Sequence, residues 1–486
     1  MITIKTTLIA ILLVGFLLPG GNAADISEAS TIHNGDLPGE RPPAFLEEVF
    51  EERRQNIMSE MRGEVALFST TDPHNFYYAT GFDQEPAIAL LDPSSPSSFV
   101  LFLREPNPTE VLWDGPRHSI EDARESFGAD EAYPLEYLDR YLTRFMRENT
   151  SISVPFGDEM VMERLGNRYS HRSNLLLHTD LSEIMHEMRV IKDEWEQDWL
   201  TYAVEVTALA HNRVMKNIRP GQYEYEVKAE IEYVFTKHNC DNGFNPIVGS
   251  GPNATYLHYP FYDRQLQDGD LILIDVGARC NHYTADVTRT IPVNGKFSEE
   301  QRKLYELVLA SQEAALEIIE PGTGILEPHH RAMDLIFEGL YDLGLITDLD
   351  SWWQKRFYVH YGMLHYIGLF VHDVGHFAEF IRSERDHYLL NKEIKGRPLE
   401  EGMVITLEPG LYLEENRIDQ LEELLGQWAS PEELREFEEK VRPVYEKYAG
   451  IGIRIEDDLL ITDTGYLLLS GDTPRTVEDI EELMAK

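Results

Sequence analysis

Apolar residues follow two rhythms along this chain. Trp195, Trp199, Tyr202, Val206 and Leu209 recur at steps of four and three, a pattern that Arg213 continues. That spacing lays one stripe along a helix, and Pro220-Gly221 ends the run. Shorter apolar runs at 64–68 and 99–103, interleaved with helical stretches, predict an α/β domain over 45–180. Beyond the long helix, 271–276 and 284–291 read as strands, 299–320 as a helix stopped by Pro321-Gly322, and 403–412 as another strand. Residues 414–447 are strongly acidic and rich in Leu and Glu, which predicts one or two surface helices inserted between strands. No short tandem repeat interrupts this order.

At 486 residues the chain exceeds the size at which one core stops growing, so two domains are expected, 45–180 and 181–486. The first residues differ from both. Lys5 precedes an apolar run at 8–18, and the small residues Gly21 and Ala23 precede Asp25. This is the layout of a secretory signal peptide at 1–24, followed by an exposed leader at 25–44 that Arg41-Pro42-Pro43 closes. The run is too short for a bilayer that needs about 20 apolar residues. The expectation is export to the periplasm or the extracellular space, without stable membrane insertion.

Charge narrows the partners. The formal net charge is −43, from 86 acidic against 43 basic residues, which repels phosphate backbones and argues against nucleic acid. The two cysteines, Cys240 and Cys280, exclude a disulfide framework. Whether they pair is open at this level.

Candidate chemistry begins with Asp275, at the end of the apolar run Leu271-Ile272-Leu273-Ile274. A carboxylate there is costly without compensation. Eleven residues on stands Asp286, and a hairpin turning about 279–282 would make the two approximate cross-strand neighbours. Such a pair must share a proton or bind a cation. His365, Glu408 and Glu456 each interrupt an apolar or Gly/Pro-punctuated segment and supply the further ligands. Four carboxylates and one imidazole neutralise two divalent ions; the oxygen-rich set suits Mn²⁺ first, with Zn²⁺, Co²⁺ or Fe²⁺ as alternatives. Two such ions could hold one bridging hydroxide as nucleophile and polarise a scissile carbonyl.

From Phe45 onward the chain resembles the pita-bread metallopeptidases and, within them, the aminopeptidase P (Xaa-Pro aminopeptidase) family. Asp275, Asp286, His365, Glu408 and Glu456 match that family's metal ligands in order and local motif. The resemblance implies an α+β protein: a C-terminal pita-bread (creatinase/aminopeptidase-like) domain preceded by a smaller α/β domain. It implies that Asp286 and Glu456 bridge the ions, that Asp275 completes one site, and that His365 with Glu408 completes the other. His258, after Ile247-Val248-Gly249-Ser250-Gly251-Pro252-Asn253, and His372, in Val371-His372-Asp373-Val374-Gly375, match residues lining the substrate cleft. Arg454 and Tyr412 match residues that orient Asp275, and Glu408 is the expected proton carrier. In the first domain, the stretches around Asn75-Phe76-Tyr77-Tyr78 and Leu112-Trp113-Asp114-Gly115 also fit.

The chain departs from the family pattern in three places. His360-Tyr361-Gly362 carries one extra residue before His365, where the family has His-Gly four residues ahead of its metal histidine. Phe244 stands where a tyrosine is usual, and 414–447 is unusually long. The implied activity is hydrolysis of the first peptide bond of peptides with proline second, by a dimer or tetramer. A strict Xaa-Pro dipeptidase (prolidase) shares all five ligands and is the alternative, although the runs at 185–189 and 247–258 favour aminopeptidase P. A non-catalytic peptide-binding relative is the remote one, and it would be expected to lose ligands.

Overall fold

Every residue of β1 (Val65–Ser69), β2 (Ala87–Leu91) and β3 (Phe99–Leu103) is buried, because their side chains alternate between two covered faces. Ala66, Phe68, Ala89, Leu91 and Leu101 enter one core, and Val65, Leu67, Ile88, Leu90 and Phe102 the other. The computed structural model describes residues 41–61, 64–148, 150–155, 157–169, 175–176, 180–376 and 389–486. The expected signal peptide and most of the leader lie outside them. With β4 (Glu131–Pro134), β5 (Ile152–Ser153) and β6 (Leu175–Leu176) the strands form a mixed sheet in the order β4-β3-β2-β1-β5-β6.

The first domain's packing runs past residue 180. Leu181 and Met185, on the helix Asp180–Val190, belong to the core over β1–β3. Conversely, Phe50, Tyr77 and Tyr78 from the first domain join the large C-terminal core, where Phe50 meets Trp195 edge to face at 5.3 Å. Nor are the last leader residues free. The Pro43 carbonyl accepts from Trp195 Nε1 at 2.8 Å and Trp199 Nε1 at 3.2 Å.

The long predicted helix spans Glu194–Asn217, opened by a capping box between Asp193 and Glu196. After β7 (Asp241–Asn242) and β8 (Ile247–Ser250), β9 (Leu271–Val276) pairs antiparallel with β8 on one side and with β12 (Val287–Pro292) on the other. Between β9 and β12 the chain narrows into β10 (Ala278–Cys280) and β11 (Tyr283–Thr284). Cys280 on β10 is disulfide-bonded to Cys240, with Cα atoms 4.6 Å apart.

The single strand expected at 403–412 is two: β13 (Val404–Leu407) and β14 (Gly410–Leu413). Pro409 cannot donate to a ladder, and Glu408 N–H turns instead to the Met363 carbonyl at 2.8 Å. β14 pairs with β15 (Ile451–Arg454), while β13 pairs with β16 (Asp457–Ile461), which is edged by β17 (Tyr466–Leu468). The acidic segment between β14 and β15 forms the helices Leu421–Leu425 and Pro431–Tyr448. Its apolar stripe packs on Trp353 and Phe357, each of which meets Phe437 edge to face. Among the described residues no helix is long and apolar enough to cross a membrane.

Candidate metal centre

The hairpin carrying the two aspartates turns at Asn281-His282, whose φ angles are 47° and 74°. Positive φ at both central residues matches a two-residue turn of type I′, and here the His282 ring lies 3.9 Å from that of Tyr77. The turn centre is one residue later than expected, so the register moves by two. Asp275 faces Thr288 directly, and Asp286 lies diagonally across from it. An even shift preserves the face on which a side chain stands, so both carboxylates still point to the same side.

Three more elements close on that side. The bridge between Thr288 and Glu456 brings in the turn between β15 and β16; the Thr288 hydroxyl donates to Glu456 Oε2 at 2.6 Å. Glu408 arrives at the break between β13 and β14, and His365 from the segment bridged to β13 through Tyr366 and Ile405. His365 Nε2 lies 3.5 Å from Asp286 Oδ2, 3.7 Å from Glu408 Oε1 and 4.0 Å from Glu456 Oε1. One ligand atom from each of Asp286, His365 and Glu456 falls within 4.8 Å of the others.

Electrostatics identify what this arrangement can hold. His365 Nδ1 lies 3.0 Å from the Tyr366 carbonyl, which can only accept, so the ring proton sits on Nδ1 and the Nε2 lone pair faces the carboxylates. Burial, reinforced by His372, lowers the His365 pKa to about 3, and the ring is neutral at neutral pH. Burial first, and then the neighbouring carboxylates, push Asp286 and Glu408 well above the usual range and Glu456 to about 8. Asp275 Oδ1 and Asp286 Oδ1 are buried with no hydrogen-bond partner among the described residues. Converging carboxyl groups, two of them with an orphaned oxygen, and a neutral imidazole are the donor set of a divalent-cation site, which the residues present therefore fit.

Arg454 organises the periphery. It donates from Nη2 to Asp275, from Nε to Thr288 Oγ1 at 3.0 Å and from Nη1 to the Tyr412 hydroxyl at 2.9 Å. Asp458 accepts the Asp286 N–H at 2.9 Å. Asp457, on the opposite face of the strand, pairs with the fully buried Arg289 at 2.6 Å.

The remaining expected residues divide. The His372 ring stands 4.6 Å from that of His365, and burial followed by His258 lowers its pKa. His258 is exposed, on the loop after the 3-10 turn Gly251–Thr255. Phe244 packs on Gly277, beside the Asp275 strand, and brings no hydroxyl. His360 makes its described contacts elsewhere: Arg417 of the acidic segment reaches its Nδ1 at 3.4 Å, and its ring is 6.1 Å from that of Tyr412. The extra residue puts Tyr361 in the inner position instead. Its hydroxyl donates to the Glu408 carbonyl at 2.8 Å and lies 3.2 Å from the Tyr412 hydroxyl. Sequence reasoning missed Tyr361, Thr288 and Asp458. The acidic triplet at 456–458 was a signal for the last; for Tyr361 there was none beyond the extra residue.

Fold and site together define a two-domain metallohydrolase with a carboxylate-rich cation site at the heart of its second domain. Residues 198–463 match metallopeptidase family M24, and residues 50–154 match the aminopeptidase P N-terminal domain. The chain is 35% identical over 465 residues to Xaa-Pro aminopeptidase of Haemophilus influenzae, covering 90% of this chain and 97% of that one. The structure of Pseudomonas aeruginosa aminopeptidase PepP matches with a TM-score of 0.76 and 32% identity, over 91% of this chain and 98% of that one. A single-residue variant of Escherichia coli aminopeptidase P in complex with substrate matches with a TM-score of 0.75 and 33% identity, over the same shares. The chain belongs to metallopeptidase family M24, in its aminopeptidase P branch.

Proposed function

We propose that this protein removes the first residue from peptides whose second residue is proline, using two divalent ions held by Asp275, Asp286, His365, Glu408 and Glu456. The observation that carries the reading is the neutral His365 Nε2 facing three buried carboxyl groups at 3.5, 3.7 and 4.0 Å. The substrate class rests on likeness to Xaa-Pro aminopeptidases along nearly the whole chain. The oxygen-rich donor set favours Mn²⁺.

Bound there, the ions would supply an activated water and polarise the scissile carbonyl. The chain's own residues do the rest. Arg454 and Thr288 hold Asp275 and Glu456 in place. Glu408 is the most exposed of the four carboxylates, at 9% against 5%, 5% and 1%. It therefore borders the cleft and is the group best placed to move a proton from the attacking water to the departing nitrogen. That nitrogen belongs to a tertiary amide without an N–H, so its environment must be shaped by side chains; His258 and His372 flank the open side.

The same reading covers address and assembly. Export behind a signal peptide at 1–24 is supported by the Cys240–Cys280 pair, which suits an oxidising compartment. A homo-oligomer, dimer or tetramer, is supported by Leu112 and Trp113, about four-fifths exposed on the helix Pro108–Asp114. Chelated protein given Mn²⁺, Zn²⁺ or Co²⁺ and assayed on Xaa-Pro dipeptides and longer Xaa-Pro-Xaa peptides tests the proposal. Metal-dependent cleavage of the longer peptides is expected. Activity on dipeptides alone, or turnover undiminished by complete metal removal, would overturn it.

A further inference from the structure

A second buried charged cluster lies where the two domains meet. Asp373, directly after His372, has a side chain 1% exposed, paired with Arg189 and Lys192, whose side chains are 3% and 1% exposed. Arg189 Nη2 donates to Asp373 Oδ1, and Lys192 Nζ donates to Asp373 Oδ2 at 3.2 Å and to the Arg189 carbonyl. The other guanidinium nitrogen of Arg189 donates to Asn75 Oδ1 at 2.7 Å. Asn75 belongs to the first domain's helix Pro73–Thr80 and is itself pinned, because Asp72 accepts from its N–H at 3.1 Å and from its Nδ2 at 2.8 Å.

Asp373 sits inside a tightly folded loop. Its N–H donates to the Tyr366 carbonyl at 2.9 Å, the Gly368 carbonyl accepts from Thr284 at 2.8 Å, and a Cβ on Gly368 would run into the Asp373 carboxylate. This loop carries His365 near one end and His372 near the other. The His74 ring, next to Asn75, stands 5.6 Å from Phe370 of the same loop. Two consecutive first-domain residues therefore bear on the segment that presents His372, His74 directly and Asn75 through Arg189. His372 and Asp373 are consecutive, about 3.8 Å apart at Cα, so the backbone that the Asp373 carboxylate anchors is the backbone that carries the imidazole.

We propose that Asn75, Arg189 and Lys192 are positioning residues for His372: the first domain, through Asn75 and Arg189, holds the Asp373 carboxylate and so sets where the imidazole stands over the cleft. The inference rests on the reading of His372 as a substrate-facing residue. It gives the first domain a part in turnover through contacts that lie outside the cation site.

The test compares Asn75→Ala, Arg189→Met, His372→Ala and the two double variants, measuring kcat and KM on an Xaa-Pro-Xaa peptide together with bound metal and melting temperature. Asn75→Ala and Arg189→Met are expected to lower kcat about 10- to 100-fold, the range for misplaced reacting groups, with metal content unchanged. In the His372→Ala background each should cause less than about a twofold further change, because the residue it acts through is gone. Wild-type kcat in Asn75→Ala, or losses that multiply in full in the double variants, would overturn the proposal and leave the cluster as a domain joint only. Removing the guanidinium strands a buried carboxylate, so Asn75→Ala, which removes no charge, decides the matter if Arg189→Met does not fold. His372→Ala with wild-type kinetics is a separate failure: it removes the reading beneath, and this inference with it.

Discussion

The Thr288 hydroxyl donates to Glu456 Oε2 at 2.6 Å while the Thr288 carbonyl accepts the Glu456 N–H at 3.1 Å, joining two strands 168 residues apart at one residue pair. The same hydroxyl oxygen accepts from Arg454 Nε, which belongs to the guanidinium that holds Asp275. One threonine thus orients two of the five proposed ligands.

Thr288→Val keeps the shape and removes the hydroxyl. It leaves a buried guanidinium N–H and a buried carboxylate oxygen without a partner, which should lower stability by about 1–3 kcal/mol. Metal affinity should fall about 10- to 100-fold, as for other residues that orient ligands from behind. Metal titration and thermal melting measure both; unchanged affinity would remove Thr288 from the site's support.

Glu408→Gln tests the proton carrier. The amide is nearly isosteric but cannot relay a proton, so kcat should fall about 10²- to 10⁴-fold in protein that still folds. Steady-state kinetics with ions in excess separate lost chemistry from lost binding. A kcat within about twofold of wild type would assign the proton to another group.

The metal-free protein should respond to pH in an unusual direction. The folded pKa of Glu456 is raised to about 8 by burial and then Asp275, and those of Asp286 and Glu408 are raised as well. Above the ordinary carboxylate range the folded state therefore binds more protons than the unfolded one, and stability falls as pH rises towards 8. His365, lowered to about 3, acts the opposite way but only between 3 and its ordinary value of 6.5. Between pH 6.5 and 8 the slope comes from raised carboxyl groups, these three together with Glu196 and Glu205 outside the site, both held up to about 7 by burial. Melting of chelated protein should drop across that window, and a divalent ion should reduce the slope and release protons, visible as buffer-dependent binding heats. A melting temperature that rises with pH in chelated protein would contradict the burial of these groups.

The Cys240–Cys280 bond closes a separation of 40 residues. Cys240→Ala with Cys280→Ala should cost about 2–4 kcal/mol, mainly through the unfolded chain. Comparing melting of wild type and double variant with and without reductant checks this, since only wild type should respond to reductant.

Much of this molecule was legible before any coordinates. Periodicity located the strands Phe99–Leu103 and Leu271–Val276 and the helix Glu194–Asn217, because each apolar pattern reports only which local faces are covered. The five positions proposed as ligands stood out for a related reason: a carboxylate or imidazole inside an apolar segment needs a partner wherever the chain leads. Parity also kept Asp275 and Asp286 on one face despite a register error of two.

Long-range contact decided the rest. The Asn281-His282 turn is packed against Tyr77 of the other domain, and no local pattern contains that contact. The strand expected at 403–412 breaks at Glu408, where Pro409 cannot continue the ladder and the distant Met363 carbonyl accepts the Glu408 N–H. One extra residue exchanged His360 for Tyr361 at the inner position, and the acidic segment supplied Arg417 to hold the displaced ring. Cys240 with Cys280, and Asn75 with Arg189 and Asp373, are meetings between distant segments. A sequence states what each residue requires from its surroundings; only the packed chain determines which distant group supplies it, because that choice is made by the shape of the whole core.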